Sequence, residues 1–341
     1  MSVLNLPKVF FDEDADLSHL EGKVIGCIGY GHQGHAQSQN LRDNGLEIII
    51  GNVSNHYAED AKKAGFKVKS IDDVAKESDI IMMLISDEAH AEVYKNSIAP
   101  HLKKGMVLDF AHGYSINFKL IVPPPDVDII LAAPRMFGEK VRERFINGLG
   151  TPAAVDVYQD SSGNAWDICL ALAKGIGATK LPGGGAFEMT FAQEAGIDLF
   201  SEQAVWPAIY EIMLLALEVL SEAGYPPELV ALEMYGSGEA SEGFKAAAEF
   251  GFLKHVFELS SKTAQFGVLT KADKIMPEER KNEIKKSMKD ILKDIKEGEF
   301  VSEWISDQKT GNMIYQKLLD KALSHPINKV EDNLKKMFRK K

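Results

Sequence analysis

Residues 23–34 read Lys23-Val24-Ile25-Gly26-Cys27-Ile28-Gly29-Tyr30-Gly31-His32-Gln33-Gly34. The first half is a short apolar run of strand length, and the second half is G-x-G-x-x-G. A helical stretch follows from about His35 to Arg42 and is stopped by Asn44-Gly45, after which Leu46–Ile50 reads as a second strand. Strand, glycine turn, helix and strand in that order are the context that a dinucleotide-binding βαβ unit requires. In such a loop Gly29 makes the tight turn and Gly31 admits a pyrophosphate close to the backbone. Gly34 lets helix and strand pack, and the helix N-terminus faces the phosphate charge.

The nicotinamide cofactor is read from the end of the second strand, where an acidic residue suits NAD and an arginine suits NADP. Gly51-Asn52-Val53-Ser54-Asn55-His56 has neither. Ser54 and Asn55 can hydrogen-bond a 2′-phosphate, and a protonated His56 adds charge. The missing acid favours NADPH without excluding NADH, and an ordinary polar loop is the plainer alternative.

Outward from this unit the first half alternates strands and helices. Strands are expected at Phe66–Val68, Asp79–Ile85, Met106–Phe110, Val127–Ala132 and Pro152–Val157, ending there. The pattern predicts an α/β, Rossmann-type, doubly wound and mostly parallel sheet. Leu181-Pro182-Gly183-Gly184-Gly185 is the hinge candidate. Beyond it the spacing is helical almost throughout, including Trp206–Leu220, Ala240–Leu259 and Trp304–Ala322. The expected division is residues 1–182 for dinucleotide binding, 183–328 for an all-α domain, and 329–341 for a solvated basic tail.

Just past the hinge, Glu194, Asp198 and Glu202 recur every four residues, which stacks their carboxylates on one helix face. No Lys or Arg lies between residues 181 and 244, and the neighbours are apolar, which predicts a buried helix. Buried carboxylates need a cation, and oxygen ligands of this kind suit Mg²⁺. An acidic surface stripe is the alternative that spacing leaves open.

Composition bounds the partners. The chain has 341 residues, enough for two cores, and its net charge of −11 disfavours nucleic acid or an anionic membrane as partner. No uninterrupted apolar run reaches the roughly 18 residues that span a bilayer, and no N-terminal apolar signal segment is evident. Cys27 and Cys169 lie in apolar segments without metal-ligand spacing and read as buried thiols of a reducing compartment, the cytoplasm.

These motifs, in their order along roughly residues 10–320, resemble ketol-acid reductoisomerase. Gly29-Tyr30-Gly31-His32-Gln33-Gly34-His35-Ala36 is similar to the family's cofactor loop. Asp87-Glu88-Ala89-His90-Ala91-Glu92-Val93-Tyr94 is similar to its segment beside the cofactor, which implies cofactor-binding roles for Asp87 and His90. Phe110-Ala111-His112-Gly113 matches the strand end carrying the active-site histidine, and Thr190 to Gln203 matches the metal helix. Glu222 to Glu228 and Gly298-Glu299-Phe300 with Glu303-Trp304-Ile305 complete the resemblance. It implies a Mg²⁺-promoted alkyl shift in a 2-hydroxy-3-keto acid, 2-acetolactate or 2-aceto-2-hydroxybutyrate. NADPH reduction then gives 2,3-dihydroxy-3-methylbutanoate or 2,3-dihydroxy-3-methylpentanoate, precursors of valine and isoleucine. Two Mg²⁺ ions are implied, with Asp198 bridging, Glu202 binding one ion, and Glu194 holding a metal-bound water or relaying a proton. The resemblance further implies a knotted, dimer-forming helical domain, one subunit lending Glu233 to the other's site, in a homodimer or a larger homo-oligomer.

His112 follows the strand Met106–Phe110, where ligands bind such sheets. The residue type alone reads equally as a structural histidine; the family motif assigns it to general-base work or to orienting a metal-bound water. This chain departs from the family in four places. Glu233 matches one of two metal-site glutamates, but the second position, four residues on, is Ser237; either Glu239 or Ser237 with water fills it. Pro134-Arg135-Met136-Phe137-Gly138 has Arg135 where the family has Lys, and a guanidinium is not equivalent to an ammonium. Gly138 stays with the cofactor motif. The cofactor-phosphate loop lacks the family's Arg, and Ser261 keeps the substrate-carboxylate serine with Lys262 in place of an acid. Two other readings remain. One is a metal-independent dehydrogenase of the β-hydroxy-acid type, which needs a Lys early in the second domain. The other is a non-catalytic NADPH-binding paralogue.

Overall fold

A computed structural model describes residues 6–338 of the chain, which divide by contact into two compact units at Ile197/Asp198. The strands are Val9–Phe10 (β1), Val24–Ile28 (β2), Glu47–Gly51 (β3), Lys67–Lys69 (β4), Ile80–Met83 (β5), Val107–Phe110 (β6), Asp128–Pro134 (β7), Ala153–Gln159 (β8) and Ala186–Glu188 (β9). They form one sheet in the order β1-β9-β8-β7-β6-β5-β2-β3-β4, antiparallel only at β7–β8 and β1–β9. The central strands are buried on both faces and apolar apart from Asp109 of β6 and Asp128 of β7, as parallel strands between helical layers tend to be.

The helices of this unit are His32–Asp43 (α1), His56–Lys63 (α2), Ile71–Glu77 (α3), Asp87–Val93 (α4), Tyr114–Asn117 (α5), Gly138–Ile146 (α6), Ala165–Gly175 (α7) and Phe191–Phe200 (α8). Two apolar cores lie on opposite faces of the sheet. One gathers Cys27, Leu41, Ile50, Met82, Ile130 and Leu172; the other gathers Ile28, Val74, Met83, Leu108, Phe110 and Phe191. Each fully buried Ile, Leu or Phe stabilises by about 1.5–3 kcal/mol. Both cysteines are buried, as expected, and burial pushes both thiols up.

Some boundaries differ from the expected ones. Helix α1 begins at His32, because Gly31 serves as its N-cap and the polar first turn carries no apolar period to mark it. The strands do not end near Val157: β9 lies past the expected hinge and seats β1 at the sheet edge. Residues 183–197 therefore go with the sheet by contact, where the sequence places a division at 182/183.

The second unit is helical. Its elements are Trp206–Glu222 (α9), Pro227–Ala231 (α10), Glu239–Phe250 (α11), His255–Leu259 (α12), Lys262–Ile275 (α13), Glu278–Glu297 (α14), Glu299–Lys309 (α15), Met313–Leu323 (α16) and Ile327–Phe338 (α17). The expected single helices over 240–259 and 304–322 are each interrupted, at Gly251 and at Gly311-Asn312. The residues read as a basic tail are corrected: through Phe338 they belong to α17, which packs on α10. Leu334 is buried there, Asn333 donates to Glu228 (2.9 Å), and Tyr235 donates to Glu331 (2.6 Å). Lysine-rich composition hid an amphipathic helix whose apolar positions recur at helical spacing. Residues 339–341 of that tail lie outside the described residues.

The helical run Phe191–Glu222 is by length and composition apolar enough to cross a membrane, although, as the sequence shows, no uninterrupted apolar run within it reaches that length. Scattered acids interrupt the run, but its average remains apolar. Helix α9 buries none of its residues within the chain, and Tyr210, Leu215 and Val219 are exposed. The expectation of a buried carboxylate helix holds at Glu194 and is corrected at Glu202, which is exposed.

Candidate active site

The glycine loop works through three different constraints. Gly29 has φ +97°, open to glycine at little cost, and a Cβ there would lie 2.8 Å from the Leu84 carbonyl. A Cβ on Gly34 would overlap the Gly29 carbonyl, so the third glycine brings helix against strand. A Cβ on Gly31 would meet nothing within 4 Å, which leaves open space above the N-terminus of α1. No side chain caps that terminus. Its backbone N–H groups and the helix dipole are suited to an anion.

This loop forms one wall of a cleft of about 680 Å³ in the sheet unit, lined also by Asn52, Val53, Asn55, Asp87, His90 and His112. Of the expected cofactor residues, Gly29, Tyr30, Gly31, His32, Gln33, Asp87 and His90 line it; Ser54, Gly34 and Gly138 do not. Ser54 is exposed on the same loop as Asn52 and Asn55. Asn52 accepts the Tyr30 N–H (3.2 Å) and donates to Asn55 (2.9 Å), which in turn N-caps α2. Gly138, at the start of α6, lies so close under His32 that a Cβ would overlap the His32 carbonyl. It sets the height of the loop from below.

His90 is 2% exposed and fully engaged: Nδ1 pairs with the Ser115 hydroxyl (2.8 Å) and Nε2 with the Ile85 carbonyl (3.1 Å). A carbonyl only accepts, so Nε2 carries the proton. Burial pushes His90 below the ordinary histidine range. Its place is that of a strut beneath the cleft wall.

His112, just past β6, reaches back to α4, where its Nδ1 lies 2.8 Å from Asp87 Oδ2. Burial pushes the Asp87 carboxyl up, but the hydrogen bond and charge of His112 outweigh it, and the group is held below its ordinary value. The other edge of the ring, Nε2, is 3.9 Å from Glu194 Oε2. Tyr114 stacks on the ring at 5.7 Å. Burial, with the charges of Asp87 and Glu88, pushes its hydroxyl up to about 12.

Glu194 is 1% exposed and doubly held: Oε2 accepts the Gly113 N–H (2.6 Å) and Oε1 pairs with the Arg135 guanidinium. Glu194 is the buried member of this pair, and the Arg135 side chain remains one-third exposed. Gly113 makes this fit possible, since a Cβ there would lie against Phe191 O and Glu194 Oε2. Helix α8 is set by its first turn. Thr190 and Gln193 exchange side-chain-to-backbone bonds (3.0 and 3.2 Å), and Asp156 of β8 accepts the Phe191 N–H (2.9 Å). Sequence reasoning passed over Gly113 and this cap, although Thr190-Phe191-Ala192-Gln193 is a visible capping box.

The remaining candidates lie in the helical unit. Asp198 is half-buried and Glu202 exposed, and Glu202 sits in a π-helical turn, Ser201–Val205. A second such turn, Leu232–Gly236, carries Glu233. π-turns inside α-helices are rare and frequent at functional sites. Gly238 (φ +86°) then breaks the helix, so Glu239 opens α11 together with Glu242, where acids favour the helix dipole. Among the described residues, no three His, Cys, Asp or Glu side chains converge as a ready metal cage. Ser261 N-caps α13, accepting from the Ala264 N–H (3.3 Å).

Comparison with known proteins agrees with this arrangement. The family model "Acetohydroxy acid isomeroreductase, NADPH-binding domain" matches residues 19–182, and "Ketol-acid reductoisomerase, C-terminal domain" matches residues 191–340. The chain is 40% identical over 336 residues to "Ketol-acid reductoisomerase (NADP(+))" of Pyrobaculum aerophilum, covering 98% of this chain and 99% of that one. It is 41% identical to the enzyme of the same name from Pyrobaculum islandicum, over 98% of both chains. A solved structure described as an NADH-preferring ketol-acid reductoisomerase from an uncultured archean matches with a TM-score of 0.90 and 37% identity, covering 98% of this chain and all of that one. The chain belongs to the ketol-acid reductoisomerase family.

Proposed function

We propose that the chain catalyses the full reductoisomerase reaction. It rearranges 2-acetolactate or 2-aceto-2-hydroxybutyrate and reduces the product to the 2,3-dihydroxy acid. The observation that carries this reading is the cluster of Asp87, His112 and Arg135 around the buried Glu194, beside a dinucleotide cleft. When bound, Mg²⁺ would polarise adjacent substrate oxygens and NADPH would supply the reducing hydride.

The residues present fit both groups. The open space at Gly31 and the uncapped α1 terminus suit a pyrophosphate, with Tyr30, His32 and Gln33 around it. NADPH is favoured over NADH because β3 ends without an acid, and Ser54 and His56 are the polar groups offered to a 2′-phosphate. The relatives' names point both ways on this choice. Asp198 and Glu202 supply hard oxygen donors four residues apart, and Mg²⁺ retains several waters, so few protein ligands suffice. Glu233 would complete the site with Glu239 or Ser237, and Ser261 at a helix N-terminus would hold the substrate carboxylate.

The chain's own residues then divide the work. Arg135 holds Glu194, Glu194 orients water or relays a proton, and His112 lies within reach of that relay. Helix α9 presents Tyr210, Leu215 and Val219 outward, and we assign that face to a homodimer or a larger assembly built from it. With both thiols buried and free, the cytoplasm is the fitting compartment.

The test is NADPH oxidation with 2-acetolactate, with and without Mg²⁺, on wild type and Glu239→Gln. Turnover only with Mg²⁺ is expected. Mg²⁺-dependent turnover indifferent to the substitution would remove Glu239 from the metal set in favour of Ser237. Reduction without any metal would favour the β-hydroxy-acid class, and NADPH binding without turnover would leave a non-catalytic paralogue.

A further inference from the structure

We propose that Asp87 is a positioning residue rather than a cofactor ligand: it holds the His112 proton on Nδ1, so that in the neutral form of the ring Nε2, on the Glu194 side, is the proton-accepting atom. The argument is geometric. Asp87 opens α4 and His112 lies 25 residues on, past β6, yet Oδ2 and Nδ1 meet at 2.8 Å. An ionised carboxylate only accepts, so the proton on this bond belongs to Nδ1. In the neutral ring Nε2 is then the unprotonated nitrogen, on the edge nearest Glu194 Oε2 at 3.9 Å.

His90 provides a control within the same protein. One turn along α4 from Asp87, it has the opposite arrangement, with a carbonyl at Nε2 and a hydroxyl at Nδ1. Two histidines beside one cleft are thus held in opposite tautomers by their partners. An oriented imidazole whose far nitrogen can take a proton is the usual purpose of an acid–histidine pair. Asp87 touches neither Glu194 nor Arg135 by any bond described above; its Oδ1 lies 3.8 Å from His90 Nδ1, beyond hydrogen-bond distance, so its bonded route toward Glu194 is the His112 ring.

The functional part of this inference rests on the reductoisomerase reading, but the tautomer does not. Full-length protein labelled with ¹⁵N-histidine is examined by NMR above neutral pH, with His112→Asn identifying the His112 signals. Wild type is expected to show His112 as Nδ1–H and His90 as Nε2–H. Asp87→Asn should shift only the His112 pattern, leave the NADPH dissociation constant within about twofold, and lower kcat on 2-acetolactate by roughly 10²–10⁴-fold. An Nε2–H pattern for His112 in wild type would overturn the proposal whatever the variant does. So would an Asp87→Asn protein with unchanged His112 signals and NADPH affinity weakened about tenfold or more. A wild-type enzyme inert toward 2-acetolactate yet showing the Nδ1–H ring would remove the reaction and leave the positioning intact.

Discussion

Helices α7 and α9 are both rich in Leu, Ile and Ala, yet their surroundings differ completely. In α7 eight of eleven residues are buried, among them Ile168, Leu170 and Leu172, against the sheet and the antiparallel pair β7–β8. In α9 none of seventeen is buried within the chain. An apolar helix on a sheet finds its partner in the same unit. Helix α9 instead presents Tyr210, Leu215 and Val219 to the outside. The sheet unit thus buries its apolar helix within itself, with Glu194 already paired, whereas the helical unit leaves α9 without a buried residue.

The sharpest way to break this contrast is to make the same cut in both helices. Leu172→Ala should lower stability by about 2–5 kcal/mol, seen as a lower urea midpoint at unchanged slope. Leu215→Ala, at a position 55% exposed, should cost under about 0.5 kcal/mol at dilutions where the chain is monomeric. It should nevertheless weaken self-association in sedimentation velocity. Equal costs would mean that α9 packs within its own unit.

A second test concerns how dry the sheet unit is. Asp109 of β6 is wholly buried between Met82 and Ile130 of the flanking strands, and burial pushes its carboxyl well above the usual carboxylate range. In strong acid both folded and unfolded chains hold the proton, and Asp109 costs nothing. As pH rises past the unfolded carboxyl's pKa, only the unfolded chain releases it, so the residue lowers stability toward neutrality. Asp109→Asn should thus raise the melting temperature near neutral pH by a few degrees and lose that advantage in acid. A difference independent of pH would show that the carboxyl ionises in place. The smallest effect belongs to the helical unit. Ser261→Ala should remove a cap worth about 1 kcal/mol and raise KM for 2-acetolactate with little change in kcat. Loss of kcat alone would move Ser261 out of substrate binding.

The same contrast explains what could be read from residues alone. The order of β2, α1 and β3 was legible because Ile25–Ile28 and Ile48–Ile50 are uniform apolar runs around a glycine motif. The edge strands β1 and β9 were not, since two- and three-residue strands carry no period. Spacing revealed the carboxylates of α8 and the π-turn after it but not their different settings: Glu194 is held by Gly113 and Arg135, while Glu202 is exposed. The Asp87–His112 pair was hidden because its partners lie on different elements, joined only when β5 and β6 align. Helix α17 was hidden by its charge.

The π-turn at Ser201–Val205 places the carboxylates and the outward apolar face on a single rod with an angular offset between them. Each residue advances an α-helix by about 100°, and a π-turn is one residue of surplus. Deleting Ala204 or Val205 from that turn would restore an ordinary helix and swing the whole of α9 by about that angle relative to Asp198. Chemistry and assembly would then be dialled apart without changing a single functional side chain. A lineage could lose or regain the pairing of the two by one codon.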